Sequence, residues 1–270
     1  MAATTPVSII VTGAAGRMGK RIIALASEQP SVYRLVGALD RPDCPLLGQD
    51  AGKIAGVADL GVPLTASLSP DMQGILIDFS APAATRALIP LCVKNNIPML
   101  IGTTGLTPDD HKLIDEAAAK LPILQATNTS LGVTLLLKLV GQVAAQLGPD
   151  YDIEIVEAHH NQKKDAPSGT ALSLAQSICQ ATGRSMEKDL VHGREGKDAL
   201  RQPGTIGMHA VRMGDVVGDH TVYYATPGER LELRHIATNR DTFVRGALRA
   251  ASWLAFQKPG RYSMASVLGL

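Results

Sequence analysis

The sequence predicts an α/β protein built on a parallel sheet, and three observations carry that prediction. Short β-rich runs alternate with helical stretches through the first half of the chain. The first of these runs leads straight into a glycine-rich turn and then a helix. In the second half the pattern changes to polar–apolar alternation, which announces a second sheet of a different kind.

The elements follow in order. Val7–Thr12 (VSIIVT) reads as a strand, Gly13, Ala14, Ala15, Gly16, Arg17, Met18 and Gly19 as a turn, and residues 20–28 as a helix. Glycines let a backbone turn tightly and approach a pyrophosphate at a helix N-terminus, although the spacing here is G-x-x-G-x-x-G rather than G-x-G-x-x-G. The next strand, residues 35–39, ends in Asp40 and Arg41. An acid at this distance beyond the loop suits an adenine ribose 2′-OH, and the arginine suits a 2′-phosphate. Residues 75–79 are a buried-type strand, 82–94 a helix with proline in its first turn, and 98–101 a strand ending in Gly102, Thr103, Thr104 and Gly105. Thr107 and Pro108 open a helix to Lys120, and 123–126 is a strand followed by Thr127, Asn128, Thr129 and Ser130. Small polar residues at three strand ends make one wall of a nucleotide site, because ligands of parallel sheets sit beyond the carboxyl ends of the strands.

Residues 131–147 read as a long amphipathic helix leaving the first domain, and 152–157 as a half-buried strand. Residues 183–203 read as an exposed, aperiodic excursion. The alternating runs between 205 and 238 read as an antiparallel meander, with a second face free for assembly. Residues 242–257 are helical and return the chain to the first domain, with Trp253 as a packing residue.

The most informative segment is EAHHNQKKDAPSGTA, Glu157 to Ala171. Two histidines and two lysines stand where a strand ends, and Ser168, Gly169 and Thr170 open a helix. Taken singly, Ser168 or Thr170 reads as a helix cap. Together the residues offer a proton donor, cations and free backbone N–H groups, which fit a carboxylate or phosphate.

Composition narrows the function. Net charge is +1, and aromatic residues number three Phe, five Tyr and one Trp, so neither a nucleic-acid partner nor a membrane is expected. Cys44, Cys92 and Cys179 are far apart without a C-x-x-C, so no metal site is read and a reducing, cytoplasmic setting is expected. Cys92 and Cys179 fall in apolar helical runs and read as buried thiols. The start, MAATTPVSII, reads as an approach to a strand, without the basic region of a signal peptide.

The chain closely resembles the 4-hydroxy-tetrahydrodipicolinate reductase (dihydrodipicolinate reductase) family. The matching segments are VTGAAGRMG, DFS at Asp78–Ser80, IGTTG, the Glu157–Ala171 segment, PGTIG at Pro203–Gly207 and GDHTVYYATPGERLEL at Gly218–Leu233. The resemblance implies a Rossmann-like dinucleotide-binding domain (residues 1–130 plus 241–270) with an inserted mixed α/β domain (131–240) for substrate binding and homotetramer formation. It implies NADH and/or NADPH as cofactor and a small dicarboxylate as substrate. Gly13, Ala14, Ala15, Gly16, Arg17 and Met18 would line the pyrophosphate, and Asp40 and Arg41 the adenine ribose. Gly102, Thr103, Thr104, Ala126, Thr127, Asn128 and Thr129 would flank the nicotinamide half. His159 would exchange the proton and Lys163 polarise the imine. His160, Lys163, Ser168, Gly169 and Thr170 would hold the carboxylates. Many relatives carry a bulky apolar residue where this chain has Thr129. Two other functions compete: a non-catalytic nucleotide sensor on the same fold, and a thiol-dependent aldehyde dehydrogenase, which needs a reactive cysteine.

Overall fold

The computed structural model describes residues 5–270, so the part of the N-terminal reading that falls on residues 1–4 lies outside the described residues. The chain divides into two compact units. One comprises the chain up to Leu131 together with Asp241–Leu270, and the other Gly132–Arg240.

The first unit is a doubly wound sheet. Its strands are β1 (Val7–Thr12), β2 (Tyr33–Leu39), β3 (Leu64–Thr65), β4 (Ile75–Asp78), β5 (Met99–Ile101), β6 (Pro122–Gln125) and β12 (Gly260–Tyr262). All pair in parallel, in the order β12-β6-β5-β4-β1-β2-β3. The helices are α1 (Arg17–Ser27), α2 (Ala51–Ala55), α3 (Pro82–Asn95), α4 (Pro108–Ala118), α7 (Asp241–Leu254) and α8 (Met264–Leu268). α1, α7 and α8 share one core with Ile9, Val11, Ile75 and Ile77, while α3 and α4 share another with Ile10, Leu76, Met99 and Ile123. Neighbouring residues of one strand thus face opposite cores, which is why these strands are apolar throughout rather than alternating. Each such buried Ile or Leu contributes about 1.5–3 kcal/mol of transfer free energy. The strand order reverses between β1 and β4, the place where sheets of this type bind ligands.

The second unit has strands β7 (Asp152–His159), β8 (Leu190–His192), β9 (Ile206–Arg212), β10 (Gly218–Thr226) and β11 (Glu229–Ala237), and helices α5 (Leu131–Leu147) and α6 (Gly169–Thr182). Its sheet order is β11-β10-β7-β9-β8. α5 and α6 cover one face through Leu136, Val140, Leu174 and Ile178, packed on Ile153, Ile155, Met208, Val222 and Tyr224.

The meander expectation is corrected here. β10 and β11 form an antiparallel hairpin, but β7 lies between β9 and β10 and pairs with β9 in parallel. Alternation reports which face is buried and carries no information about the neighbouring strand. The 183–203 excursion is also less free than its composition suggests. It contains β8, and Arg194 and Arg201 from it both bond Glu154 on β7. Element ends shift by a few residues: α1 begins at Arg17, α4 ends at Ala118 and β7 runs on to His159. α2, β3, β12 and α8 are too short for a periodic signal. Trp253 packs edge-to-face on Tyr262, as its apolar surroundings implied.

Candidate active site

The first unit carries the glycine turn after β1. Gly13 has φ +70°, and a side chain there would meet the Phe79 carbonyl oxygen at 2.5 Å. Gly19 lies so close beneath the turn that a Cβ would come 2.2 Å from the Gly13 carbonyl oxygen. The turn is therefore folded against the start of α1, whose N-cap, Gly16, makes no side-chain cap bond and whose first turn carries no acid. Helix N–H groups without a side-chain acceptor beside exposed Gly16 and Arg17 form a cradle that fits a pyrophosphate. Ala14 is buried, with its N–H on the Leu39 carbonyl, and Met18 packs into the core beneath. Asp40, at the end of β2, accepts the Ala15 N–H at 2.9 Å and the Arg41 N–H. A carboxylate can accept about four hydrogen bonds, so capacity remains for a ribose hydroxyl. Arg41 is exposed and pairs with Asp43 at 3.1 Å.

Sequence reasoning overlooked a buried carboxylate that organises the neighbouring strand ends. Asp78, at the end of β4, is fully buried and accepts hydroxyl bonds from Ser80 and Thr85. Burial pushes its carboxyl up, and hydrogen bonds from Ser80, Thr85 and Thr103 offset part of that rise. Thr103 also accepts the Ser80 N–H at 3.1 Å, which ties the β5 end to the β4 end. Gly102 leaves room for the Phe79 ring, 2.4 Å from where its Cβ would stand, while Thr104 is exposed. After β6, Ala126 bonds back to Ile101, Thr127 is exposed, and Asn128 accepts the Ser130 N–H. Thr129 is buried, and its hydroxyl donates to the Phe243 carbonyl at 2.6 Å. That bond ties the segment after β6 to the first turn of α7.

In the other unit, a cluster of ionisable side chains stands at the end of β7. His159 is the last strand residue, and His160 begins the loop. Two residues earlier, on the same strand face, Glu157 is fully buried. Its Oε2 lies 2.6 Å from His159 Nδ1, and its Oε1 accepts the Ser168 N–H at 3.0 Å. Arg212 grips the same carboxylate with both terminal nitrogens, each at 2.8 Å, and also donates to the Asp165 carbonyl. Burial alone would raise the Glu157 carboxyl. The donors from Arg212, His159 and Ser168 outweigh it and hold the group below the usual glutamate range. Burial lowers the His159 imidazole, and the Glu157 carboxylate partly opposes that shift.

His220, paired with Glu157 across the β7–β10 register, packs edge-on to His159 with ring centroids 5.2 Å apart. Its Nε2 lies 3.2 Å from Ser168 Oγ, and burial drops its pKa to about 4. Ser168 is the N-cap of α6 and accepts the Ala171 N–H, so the capping role is real. Gly169 is exposed with open space around it, and Thr170 is half-buried. Lys163 is half-buried and pairs with Asp165 at 2.9 Å, whereas Lys164 is exposed. The Lys163 N–H bonds to the His160 carbonyl, closing a turn that keeps the two residues together.

The structure thus gathers His159, His160, Lys163, Ser168, Gly169 and Thr170 around one strand end and one helix start. It adds Glu157, Arg212 and His220. Strand parity with His159 could have found Glu157. Arg212 and His220 had no local signal, since pairing across the sheet brings them in. All three cysteines are buried, and burial pushes the Cys92 thiol up to about 12, which removes the thiol-dependent alternative.

Comparison with known proteins shows which family the chain is similar to. The sequence matches the family described as dihydrodipicolinate reductase, N-terminus, over residues 7–129 and the C-terminus of the same family over residues 132–268. A 4-hydroxy-tetrahydrodipicolinate reductase of Syntrophotalea carbinolica is 45% identical over 266 residues, 98% of this chain and 99% of its own. A dipicolinate-bound dihydrodipicolinate reductase from Paenisporosarcina sp. TG-14 shares the fold, with TM-score 0.75 and 24% identity over 96% of this chain and 97% of that one. A probable dehydrogenase from Thermotoga maritima aligns with TM-score 0.61 at 13% identity, covering 97% and 92%. With both family regions matched and a relative of this identity aligned nearly end to end, the chain belongs to the dihydrodipicolinate reductase family.

Proposed function

We propose that this chain reduces (2S,4S)-4-hydroxy-2,3,4,5-tetrahydrodipicolinate to 2,3,4,5-tetrahydrodipicolinate with NADH or NADPH, in the diaminopimelate route to lysine. The observation that carries this reading is the cluster at the end of β7. It sets a desolvated imidazole, a lysine and a helix N-terminus together, within a chain of this family. The bound nicotinamide supplies the hydride, a proton is taken up, and the substrate hydroxyl leaves as water. His159 is the proton donor. Lys163 polarises the ring imine and, with His160, Ser168, Gly169 and Thr170, holds the carboxylates. Residues 1–130 and 241–270 bind the dinucleotide. Gly13 to Met18 lie on its pyrophosphate, Asp40 and Arg41 at its adenine ribose, and Gly102 to Thr104 with Ala126 to Thr129 on its nicotinamide side.

Residues 131–240 bind substrate and form a homotetramer through the sheet face opposite α5 and α6, where Val211 and Ile236 are exposed. No helix among the described residues is long and apolar enough to cross a membrane. A cytoplasmic enzyme fits that fact and the buried free cysteines. The test is NAD(P)H oxidation on freshly generated hydroxy-tetrahydrodipicolinate, with light scattering for the assembly. Failure to turn over this substrate with either cofactor would return the chain to the nucleotide-sensor reading.

A further inference from the structure

We propose that Glu157, clamped by Arg212, is a positioning residue that fixes His159 in the tautomer with its proton on Nδ1, leaving Nε2 as the nitrogen that exchanges the catalytic proton. The inference rests on the reading of His159 as proton donor.

Three geometric facts support it. The carboxylate is fully buried, yet four donors converge on it: both terminal nitrogens of Arg212, the Ser168 N–H and His159 Nδ1. An acceptor so occupied stays ionised, so the hydrogen between Glu157 and His159 belongs to the imidazole. The second fact is the aim of the ring. With Nδ1 turned inward, Nε2 is the only ring nitrogen left for a ligand, and Gly218 leaves it space: a Cβ there would stand 3.1 Å from Nε2. The third is economy of position. The same carboxylate orders the Ser168 N-cap, so the proton donor and the carboxylate-binding helix start share one anchor.

Which ring nitrogen of a catalytic histidine carries the proton is set by the hydrogen bond the other makes. The titratable and charged groups facing His159 are Glu157 on its own strand, Arg212 on β9, neutral His220 on β10, and Lys163 with its partner Asp165 on the loop. Among these, Glu157 is the group in direct contact that favours the imidazolium.

The test compares Glu157→Gln with His159→Gln. For Glu157→Gln, kcat should fall about 10-fold or more, with cofactor affinity, followed by nicotinamide fluorescence, kept. The high-pH limb of the kcat profile should move to lower pH, because the carboxylate that favours the protonated ring is gone. A merely structural role would leave that limb in place. If His159→Gln is crippled while Glu157→Gln keeps the wild-type rate and limb, the positioning role is wrong and the proton-donor reading survives. If His159→Gln itself turns over normally, both fall. Should Glu157→Gln not fold, two-dimensional ¹⁵N NMR of the imidazoles in the unaltered protein decides the matter. A neutral His159 protonated on Nδ1 supports the assignment, and one protonated on Nε2 overturns it.

Discussion

The two strand ends that matter in this molecule are built from opposite materials. At the end of β1 the site is backbone: Gly13, Gly16 and Gly19, helix N–H groups without a side-chain cap, and a single carboxylate, Asp40, tying the turn to β2. At the end of β7 it is ionisable side chains: Glu157, His159, Arg212 and Lys163 within one web, with neutral His220 beside them. A cofactor's pyrophosphate asks for shape and oriented dipoles, which small residues supply without competing acceptors. A protonation step asks for a group of tuned proton affinity, which only buried, partnered side chains supply. The contrast predicts that backbone-built and side-chain-built sites fail in different ways when altered.

The largest effect should come from the side-chain site. His159→Gln should lower kcat by roughly 10²–10⁴-fold while NAD(P)H still binds. Lys163→Ala should lower kcat and raise KM together, and exposed Lys164 provides a near-neutral control. Steady-state kinetics on the three variants would break the contrast if Lys164 mattered as much as Lys163. Next in size is Gly19→Ala, where the new methyl meets backbone on the turn it supports. Overpacking of this kind costs about 1–3 kcal/mol, read as a lower Tm, and cofactor affinity should fall while kcat at saturating cofactor is largely kept.

A subtler test concerns pH. Burial alone would raise Glu154, but bonds from Arg194, His209 and Arg201 bring it to about 2, below its ordinary 4.5. A carboxylate depressed in the folded state contributes stability above its unfolded pKa and loses it as pH falls through the folded value. Thermal melts should therefore show Glu154→Gln less stable than the parent at neutral pH, with the gap narrowing as pH falls from about 4.5 to about 2. A gap unchanged down that range would remove the ionic hold on the 183–203 segment. The smallest effect belongs to Arg41→Ala, an exposed residue whose loss should weaken NADPH by about 3–10-fold and NADH less. Equal losses would strip Arg41 of any role in cofactor choice.

Local chemistry made much of this legible. The β1–glycine–α1 unit, the Thr107 cap of α4, the helix over 131–147 and the placement of His159 and His160 at a strand end all rest on signals within a few residues. What stayed hidden was lateral. No window of sequence shows that β7 slips between β9 and β10, and that insertion is what places Arg212 and His220 beside Glu157. Asp78 was hidden for a related reason. Its partners Thr85 and Thr103 come from α3 and the β5 end, so a buried carboxylate that folding satisfies looks in sequence like a strand-ending turn residue.

The bond from Thr129 to the Phe243 carbonyl, with Gly246 packed so tightly on Thr129 that a Cβ there would stand 1.7 Å from its carbonyl oxygen, has a consequence for how the chain is assembled. To the first unit, everything between these residues is a loop. Closing so long a flexible loop costs about 4 kcal/mol of chain entropy, whereas an inserted unit that has already folded presents its two ends as a ready-made short connection. α7 and β12, which complete the first sheet and its core, are therefore predisposed to dock after the insert has formed. A protein with residues 132–240 replaced by a short linker would isolate that dependence.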